Sequence, residues 1–142
     1  MANALNRHEG LHPTQFTPAT IRRDAFGPRR AFRVLVGETA RGAVVGYAAF
    51  LMGYNTDVAA RDMFMLDLFV QPAWRSRGVG RALVTAVARE AVRRGLPDVE
   101  WGVRGDNARA LRFYRSLGAR VGRVRIATLR GRALTALISE RR

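Results

Sequence analysis

The chain of 142 residues has the length of one domain, and 48% of its residues are hydrophobic, as in a globular protein with a buried core. It contains no cysteine, which excludes disulfides, thiolate nucleophiles and cysteine-ligated zinc, and it has no apolar run of about 18 residues that would span a membrane. All 25 basic residues are arginine, and the formal net charge of +14 favours anionic partners such as nucleic acid, acidic lipid or a phosphorylated cofactor.

The first residues, 1–16, have no apolar segment of the kind found in secretory signals, so we expect a flexible leader and a cytoplasmic protein. His8 and His12 lie in this leader at i, i+4 spacing, but no third ligand follows, and we predict no metal site. The segment TPATIRRDAFG then predicts a helix, with Thr17 as N-cap, Pro18 at the first position and Gly27 after the end.

Strands and helices alternate through the rest of the chain, which indicates an α/β or α+β sheet covered by helices. Apolar runs predict strands over Arg33–Val36, Ala43–Met52, Met63–Val70, Val99–Arg104 and Val121–Thr128, with YNTDVAARD as a polar connection before the third. Apolar residues at helical spacing predict helices over Val79–Arg94, from Asp106 or Asn107 to Gly118, and over Arg132–Glu140.

The segment QPAWRSRGVGRALV, which joins the third strand to the helix at Val79, has the ingredients of an anion site. Gly78 and Gly80 allow positive φ and remove the Cβ atoms that would hold a phosphate away from the backbone. The start of the helix offers N–H groups, and Arg75, Arg77 and Arg81 add charged donors. The alternative is a tight turn in which the glycines only ease the packing of the helix on the sheet.

A second segment, DNARALRFYRSLGA, contains a tyrosine on the same side of a predicted helix as the asparagine that caps it. Asn107, Leu111, Tyr114 and Gly118 recur at helical intervals, so Tyr114 projects from the same side of the helix as the capping asparagine. The alternative is a half-buried core tyrosine with a satisfied hydroxyl.

Together these segments resemble the GNAT superfamily of N-acetyltransferases. Its two signatures, Arg/Gln-x-x-Gly-x-Gly/Ala and a later Asn, Ala, Phe-Tyr and Gly, are matched at Arg75, Gly78, Gly80, Asn107, Ala110, Phe113, Tyr114 and Gly118. The runs FGPRRAFRVLV, VVGYAAFLMGYNTD, LDLFVQP and VEWGVRGDNARALRFYRSLGA look like its diamine (spermidine/spermine, thialysine) acetyltransferase branch. The resemblance extends from about Phe16 to Leu137 and implies one N-acetyltransferase domain over residues 17–142, with a mixed, mostly antiparallel central sheet flanked by helices.

The resemblance implies acetyl-CoA as donor, a primary amine of a small molecule as acceptor, and no metal. The cofactor-binding residues that it implies are Leu68, Phe69, Val70, Arg75, Ser76, Arg77, Gly78, Val79, Gly80, Arg81, Asn107, Ala110 and Tyr114. The strand backbone would pair with the pantetheine arm and the glycine loop would hold the pyrophosphate. Tyr114 would lie beside the thioester sulfur and protonate the leaving thiolate.

The acceptor side of the resemblance is weaker, because the diamine branch has a Glu-Asp pair where this chain has Leu66 and Asp67. A lone carboxylate inside MFMLDLFV is costly to bury, so Asp67 either pairs with an arginine or faces the amine as a catalytic base. Glu100 is a second candidate base, or else a solvated residue at the edge of the sheet.

The segment before the first strand is shorter than in the superfamily that the chain resembles. That superfamily opens with a strand and two helices, whereas only residues 1–30 precede AFRVLV here. We therefore expect the first strand and first helix to be missing or remodelled. The exposed sheet edge predicts a homodimer. Two other functions stay open: an acyl-CoA-binding protein of this fold without turnover, and a nucleic-acid module, although we find no recognition helix and expect no nucleic-acid or membrane partner.

Overall fold

The computed structural model describes residues 1–8, 10, 16–123 and 126–139, and the chain divides into two compact units, Met1–Arg104 and Gly105–Arg142. The first unit contains the sheet and the glycine loop, and the second contains the helix with the asparagine and the tyrosine. In the described part of the chain no helix has the length and apolarity needed to cross a membrane.

The first unit is built on a four-stranded sheet whose strands lie in chain order. Strands β1 (Arg33–Glu38), β2 (Val44–Asn55) and β3 (Ala60–Val70) are antiparallel, and β4 (Val99–Trp101) pairs in parallel with β3. Helices flank this sheet, so the predicted fold class, a mixed and mostly antiparallel sheet with helices, is confirmed.

The hairpin between β2 and β3 is longer than its composition predicts. Most of YNTDVAARD, predicted as a polar connection, belongs to the two strands, which pair as far as Asn55 and Ala60. Cross-strand hydrogen bonds therefore continue into polar sequence, because the strands are already held together by the apolar part of the hairpin.

Helix α3 (Val79–Arg93) covers one face of the sheet and buries Leu83, Val87 and Ala91. These three residues recur every four positions, which places them on one side of the helix. The predicted helix and its end near Gly95 are confirmed, because Gly95 has a φ of 68° and its N–H donates to the Val92 carbonyl.

Two helices, α1 (Ala2–His8) and α2 (Pro18–Phe26), precede β1, where the sequence predicted a leader and one helix. The prediction for α2 is confirmed, including the Thr17 cap, whose Oγ1 accepts the N–H of Thr20 at 3.1 Å. No strand precedes β1 within residues 1–8, 10 and 16–32.

Helix α1 lies in the segment predicted as a flexible leader. Its Leu5 is 7% exposed and packs with Tyr47, Ala49 and Phe69 on the face of the sheet opposite α3. A helix of seven residues is marginal by itself, so burial of Leu5 against the sheet, and not local propensity, accounts for its formation. His12, in the remainder of the predicted leader, lies outside the described residues.

The second unit contains two helices, α4 (Ala108–Ser116) and α5 (Arg132–Ser139), both close to their predicted bounds. The strand predicted over Val121–Thr128 is not observed: residues 121–123 and 126–128 belong to no strand, and Val124 and Arg125 lie outside the described residues. Ile126 is 85% exposed. An apolar run of this kind forms a strand only where a neighbouring strand pairs with it and buries one of its faces.

At one edge of the sheet, β4 is shorter than predicted. At the other edge, β1 lies where the missing first strand was expected to leave the sheet without a neighbour. The predicted strand Val99–Arg104 ends at Trp101, because its pairing with β3 ends there. Strand β1 forms the other edge of the sheet. The homodimer that the sequence predicts from an exposed edge stays a prediction.

Candidate active site

The glycine loop leads from the end of β3 through a single 3₁₀ turn (Pro72–Trp74) to the first residue of α3. Ser76 and Gly78 both have left-handed backbone, with φ of 61° and 82°. Left-handed residues in a turn direct successive N–H groups toward one concavity, which suits an anion. A Cβ at Gly78 would meet no atom within 4 Å, so the space next to this backbone is open.

The N-terminus of α3 follows this turn directly. The Ala82 N–H donates to the Gly78 carbonyl at 2.9 Å, so the N–H groups of Val79 and Gly80 precede the first intrahelical bond. The helix dipole adds the equivalent of about half a positive charge at this end. The first turn contains no acidic residue that would neutralise it. The geometry therefore suits a phosphate group.

Two of the loop arginines are held by contacts within the loop. The Nε of Arg75 donates to the Val70 carbonyl at 2.9 Å, and its guanidinium lies 6.0 Å from the centre of the Phe69 ring. The guanidinium of Arg77 lies 5.3 Å from the centre of the Trp74 ring. Arg75 is half-buried and ties the loop to the end of β3, whereas Arg77 is exposed.

The part of β3 next to the loop has a strand neighbour on one side only. Its parallel pairing with β4 covers Met63–Met65, whereas its antiparallel pairing with β2 continues to Val70. Among the described residues, the backbone of Leu68–Val70 therefore has one edge without a paired strand.

A β-bulge at Leu66 determines which face of the sheet Asp67 occupies. Ala49 pairs with Asp67 and Phe50 with Met65, so Leu66 is an extra residue on β3. Met65 is buried on the side of α3, and Asp67 lies on the opposite face, near Tyr47. Leu66 is 44% exposed.

The partner of Asp67 is a tyrosine hydroxyl, which the sequence analysis missed. The Tyr47 hydroxyl donates to Asp67 Oδ2 at 3.0 Å, and no ion pair within the described part of the chain involves Asp67. The arginine pair considered as one alternative for Asp67 is therefore wrong. Tyr47 pairs in register with Phe69 and reaches Asp67 diagonally, so only the strand register reveals the contact.

The environment of Asp67 alters its proton affinity. Burial raises the pKa of the Asp67 carboxyl above its usual value, and the hydrogen bond from Tyr47 opposes part of that rise. Because the folded protein holds this proton more tightly than the unfolded chain, the stability that the proton supplies is present below the unfolded pKa. It is lost as the pH rises through the folded pKa.

We expect Tyr47→Phe to lower the free energy of unfolding by about 1–3 kcal/mol near neutral pH, because a partly buried carboxylate loses its donor. The loss should shrink on acidification, because a protonated Asp67 needs the donor less. Urea unfolding at about pH 8 and about pH 4 measures the difference. Tyr54→Phe, at a tyrosine that is 61% exposed, is the control, and an equal loss for Tyr47→Phe at both pH values would contradict the explanation.

Helix α4 carries the second predicted set of site residues. Asn107 is its N-cap, and its Oδ1 accepts the Ala110 N–H at 3.0 Å, which decides between Asp106 and Asn107 as the cap. Tyr114 lies two turns further along and is buried at 9% exposure, with its ring 5.3 Å from that of Phe113. Tyr114 is the buried residue of α4.

Glu100, the second candidate base, is an exposed residue of β4. Its Oε1 accepts a hydrogen bond from Asn55 Nδ2 at 3.0 Å. It lies next to Phe64 in the parallel register, whereas Asp67 lies three residues further along β3. The two candidate bases are thus on different parts of the sheet.

Comparison with known proteins identifies the family. The model of the acetyltransferase (GNAT) family matches residues 4–119. A thialysine N-epsilon-acetyltransferase of Mus musculus is 30% identical over 127 residues, which are 84% of this chain and 74% of the relative. An L-ornithine acetyltransferase of Arabidopsis thaliana is 37% identical over 95 residues, but the chain spans only 42% of that relative, with 66% of its own length aligned.

Solved structures agree on the fold. An integron cassette protein from the mobile metagenome of V. cholerae matches with a TM-score of 0.80 and 22% identity, over 98% of this chain and 88% of the other. An aminoglycoside acetyltransferase from an uncultured soil metagenomic sample matches with a TM-score of 0.72 and 19% identity, over 87% and 82%. Sheet, glycine loop and family match together establish that this chain belongs to the GNAT family of acetyltransferases.

Proposed function

We propose that this protein transfers an acetyl group from acetyl-CoA to a primary amino group of a small molecule. The observation that most supports the proposal is the turn at Ser76 and Gly78, with left-handed backbone at both residues, directly before the N-terminus of α3. This arrangement gives a diphosphate N–H donors and a positive helix end without a side chain in the way. Two of the four proteins described above are named for N-acetylation, one of thialysine and one of L-ornithine.

The chain's own residues fit acetyl-CoA along the end of β3 and the loop. Ser76–Arg81 would hold the pyrophosphate, and the unpaired backbone edge at Leu68–Val70 would pair with the pantetheine arm as an added strand does. Arg75 would contribute mainly by holding the loop in place, because its Nε already donates to the Val70 carbonyl. On α4, Asn107 and Ala110 would contact the same cofactor.

The reaction requires a neutral amine. An alkylamine with a pKa near 10 is mostly protonated at neutral pH, so a proton must leave before the nitrogen attacks the thioester carbonyl. A C–N bond then forms and the C–S bond breaks. The nitrogen releases its second proton as it becomes an amide, and the departing thiolate takes up a proton. A backbone N–H near Leu68–Val70 would polarise the carbonyl.

Two side chains would carry out these proton transfers, one as general base and one as general acid. The raised pKa of Asp67 makes its carboxylate a better proton acceptor than an exposed aspartate, and Tyr47 orients it, so Asp67 would receive the ammonium proton directly or through water. Tyr114, a buried residue of α4, would supply the proton to the thiolate.

The test is to titrate acetyl-CoA by calorimetry and then follow release of free thiol with diamines, amino acids, aminoglycosides and peptide N-termini as acceptors. Saturable binding followed by acceptor-dependent thiol release is the expected result. No binding of acetyl-CoA would refute the proposal.

A second candidate function is binding of acyl-CoA without turnover. The exposed Leu66 at the bulge favours it, because a carboxylate stands there in the diamine branch. Binding without thiol release for every class of acceptor would support this second function against the first.

A further inference from the structure

Four residues of β2 and β3 form a patch on the face of the sheet opposite α3. Ala49 pairs with Asp67, and Tyr47 pairs with Phe69. Directly opposite residues of an antiparallel pair lie on the same face, as do residues two apart on one strand. Asp67, the candidate base, is therefore one corner of this patch, and its other three corners are Tyr47, Ala49 and Phe69.

Helix α1 covers the patch with one leucine. Leu5 is buried in a single cluster with the three other corners of the patch, and Ala2 and Ala4 of the same helix pack against that cluster. Among the described side chains of α1, Leu5 is the buried one. The short helix at the start of the chain therefore reaches the surroundings of Asp67 through this side chain.

The ring of Tyr47 connects Leu5 to the carboxylate. Tyr47 is 7% exposed, and the centre of its ring lies 6.1 Å from that of Phe69. Its hydroxyl donates to Asp67 Oδ2 at 3.0 Å. Because two side-chain torsions place a tyrosine hydroxyl, packing that fixes the ring also fixes the hydrogen bond to Asp67.

The charged groups of the neighbouring elements do not pair with Asp67. On α1, Arg7 is exposed, and so is Met1, which carries the N-terminal amine; Arg75 lies 6.0 Å from the centre of the Phe69 ring. No ion pair within the described part of the chain involves Asp67. The exclusion of water from the patch and the Tyr47 hydroxyl therefore act on its proton, and both depend on Leu5.

We propose that Leu5 is a positioning residue for Asp67 and acts on it through the ring of Tyr47. The use of Asp67 as a base rests on the proposed function, whereas the effect of Leu5 on the carboxyl does not. This assigns α1 a part in the chemistry of the site, although Leu5 itself touches none of the reacting atoms.

The direction of the effect follows from the two influences on the carboxyl. Burial raises the pKa of Asp67, and the hydrogen bond from Tyr47 opposes part of that rise. A shorter side chain at residue 5 admits water to the patch, which weakens the effect of burial. Water can also replace a loosened hydroxyl as donor to the carboxylate. The proton affinity of Asp67 should therefore fall when Leu5 is shortened.

The test measures this proton affinity by carboxyl NMR titration of the full chain with ¹³C-labelled aspartate, where Asp67→Asn assigns the signal. Leu5→Ala should lower the proton affinity of Asp67 about threefold or more. Leu96→Ala is the matched control, because Leu96 is 8% exposed and lies outside the cluster of Leu5. It removes the same buried side chain and should leave Asp67 unchanged.

Two further variants keep the test independent of folding losses. Leu5→Met retains a long apolar side chain and should restore the parent's value. Leu5→Val is a smaller truncation and should give an intermediate value, which can be measured even where Leu5→Ala does not fold. Thermal unfolding identifies the variants that are folded at the temperature of the titration.

The outcomes separate this inference from the acetyltransferase proposal. An unchanged Asp67 in folded Leu5→Ala or Leu5→Val, or an equal change in Leu5→Ala and Leu96→Ala, would overturn the positioning role, even for an active enzyme. A lowered proton affinity without turnover of any acceptor would support the positioning role and count against the transferase. In the active enzyme, Leu5→Ala should move the acid limb of the pH profile of kcat/KM for the amine to lower pH, by the same factor as the carboxyl titration.

Discussion

Replacing Gly80 by valine should weaken acetyl-CoA binding by at least about 100-fold, because the new side chain fills the place of the pyrophosphate. The loss of two charge-assisted hydrogen bonds at about 1.5–3 kcal/mol each is of this size or larger. Gly80 has helical backbone and is not among the positive-φ glycines, so valine is compatible with its conformation. Calorimetric titration of acetyl-CoA measures the effect.

The control for this variant lies on the same helix. Ala88 is an exposed residue of α3, about two turns further along, and Ala88→Val adds the same β-branched side chain away from the loop. Ala88→Val should bind acetyl-CoA like the parent. Gly80→Val should unfold near the parent's temperature, since glycine and valine differ little in helix propensity, whereas Ala88→Val should lose roughly 0.5 kcal/mol of stability and still be folded. Parent-like affinity in a folded Gly80→Val would show that the glycine loop does not bind the pyrophosphate.

Replacing Tyr114 by phenylalanine should reduce turnover by about 10²–10⁴-fold, the usual contribution of a positioned general acid. The affinity for acetyl-CoA should change little, because the ring remains and only the hydroxyl is removed. Thiol release at saturating substrates gives kcat, and calorimetry gives the dissociation constant.

The pH dependence of this variant distinguishes a catalytic phenol from a structural one. Loss of a general acid should remove the alkaline limb of the parent's pH–kcat profile, whereas a structural loss would lower activity equally at all pH values. Parent-like kcat in Tyr114→Phe would exclude the acid role and leave Tyr114 as a core residue.

A cavity of about 420 Å³ at the β2–β3 hairpin, lined by Asp57, Asp62 and Glu100, changes how the net charge of this protein should be interpreted. A charge of +14 makes the chain as a whole a poor host for a polycation. Local charge matters more for a bound group, because Coulomb interaction in a cavity falls off with distance and with screening by salt. Three carboxylates on one hairpin and β4 are therefore compatible with a cationic acceptor on a basic protein.

Several features of this protein follow from the sequence alone. The start of α3 after Gly78, the Thr17 cap and the end of α4 near Gly118 were predicted and are observed. The cap of α4 was predicted at Asp106 or Asn107 and is Asn107. Each depends on positive φ or on a hydrogen bond between residues three or four apart, so the signal is complete within one short segment.

Tertiary structure alone decided the contacts of the charged residues. Tyr47 and Asp67 are 20 residues apart and meet because the bulge at Leu66 turns Asp67 to the face that carries Tyr47. Asp62 belongs to a predicted polar connection, and only the strand register places it against Gly53. Burial and cross-strand register are properties of distant segments brought together, and no local pattern encodes them.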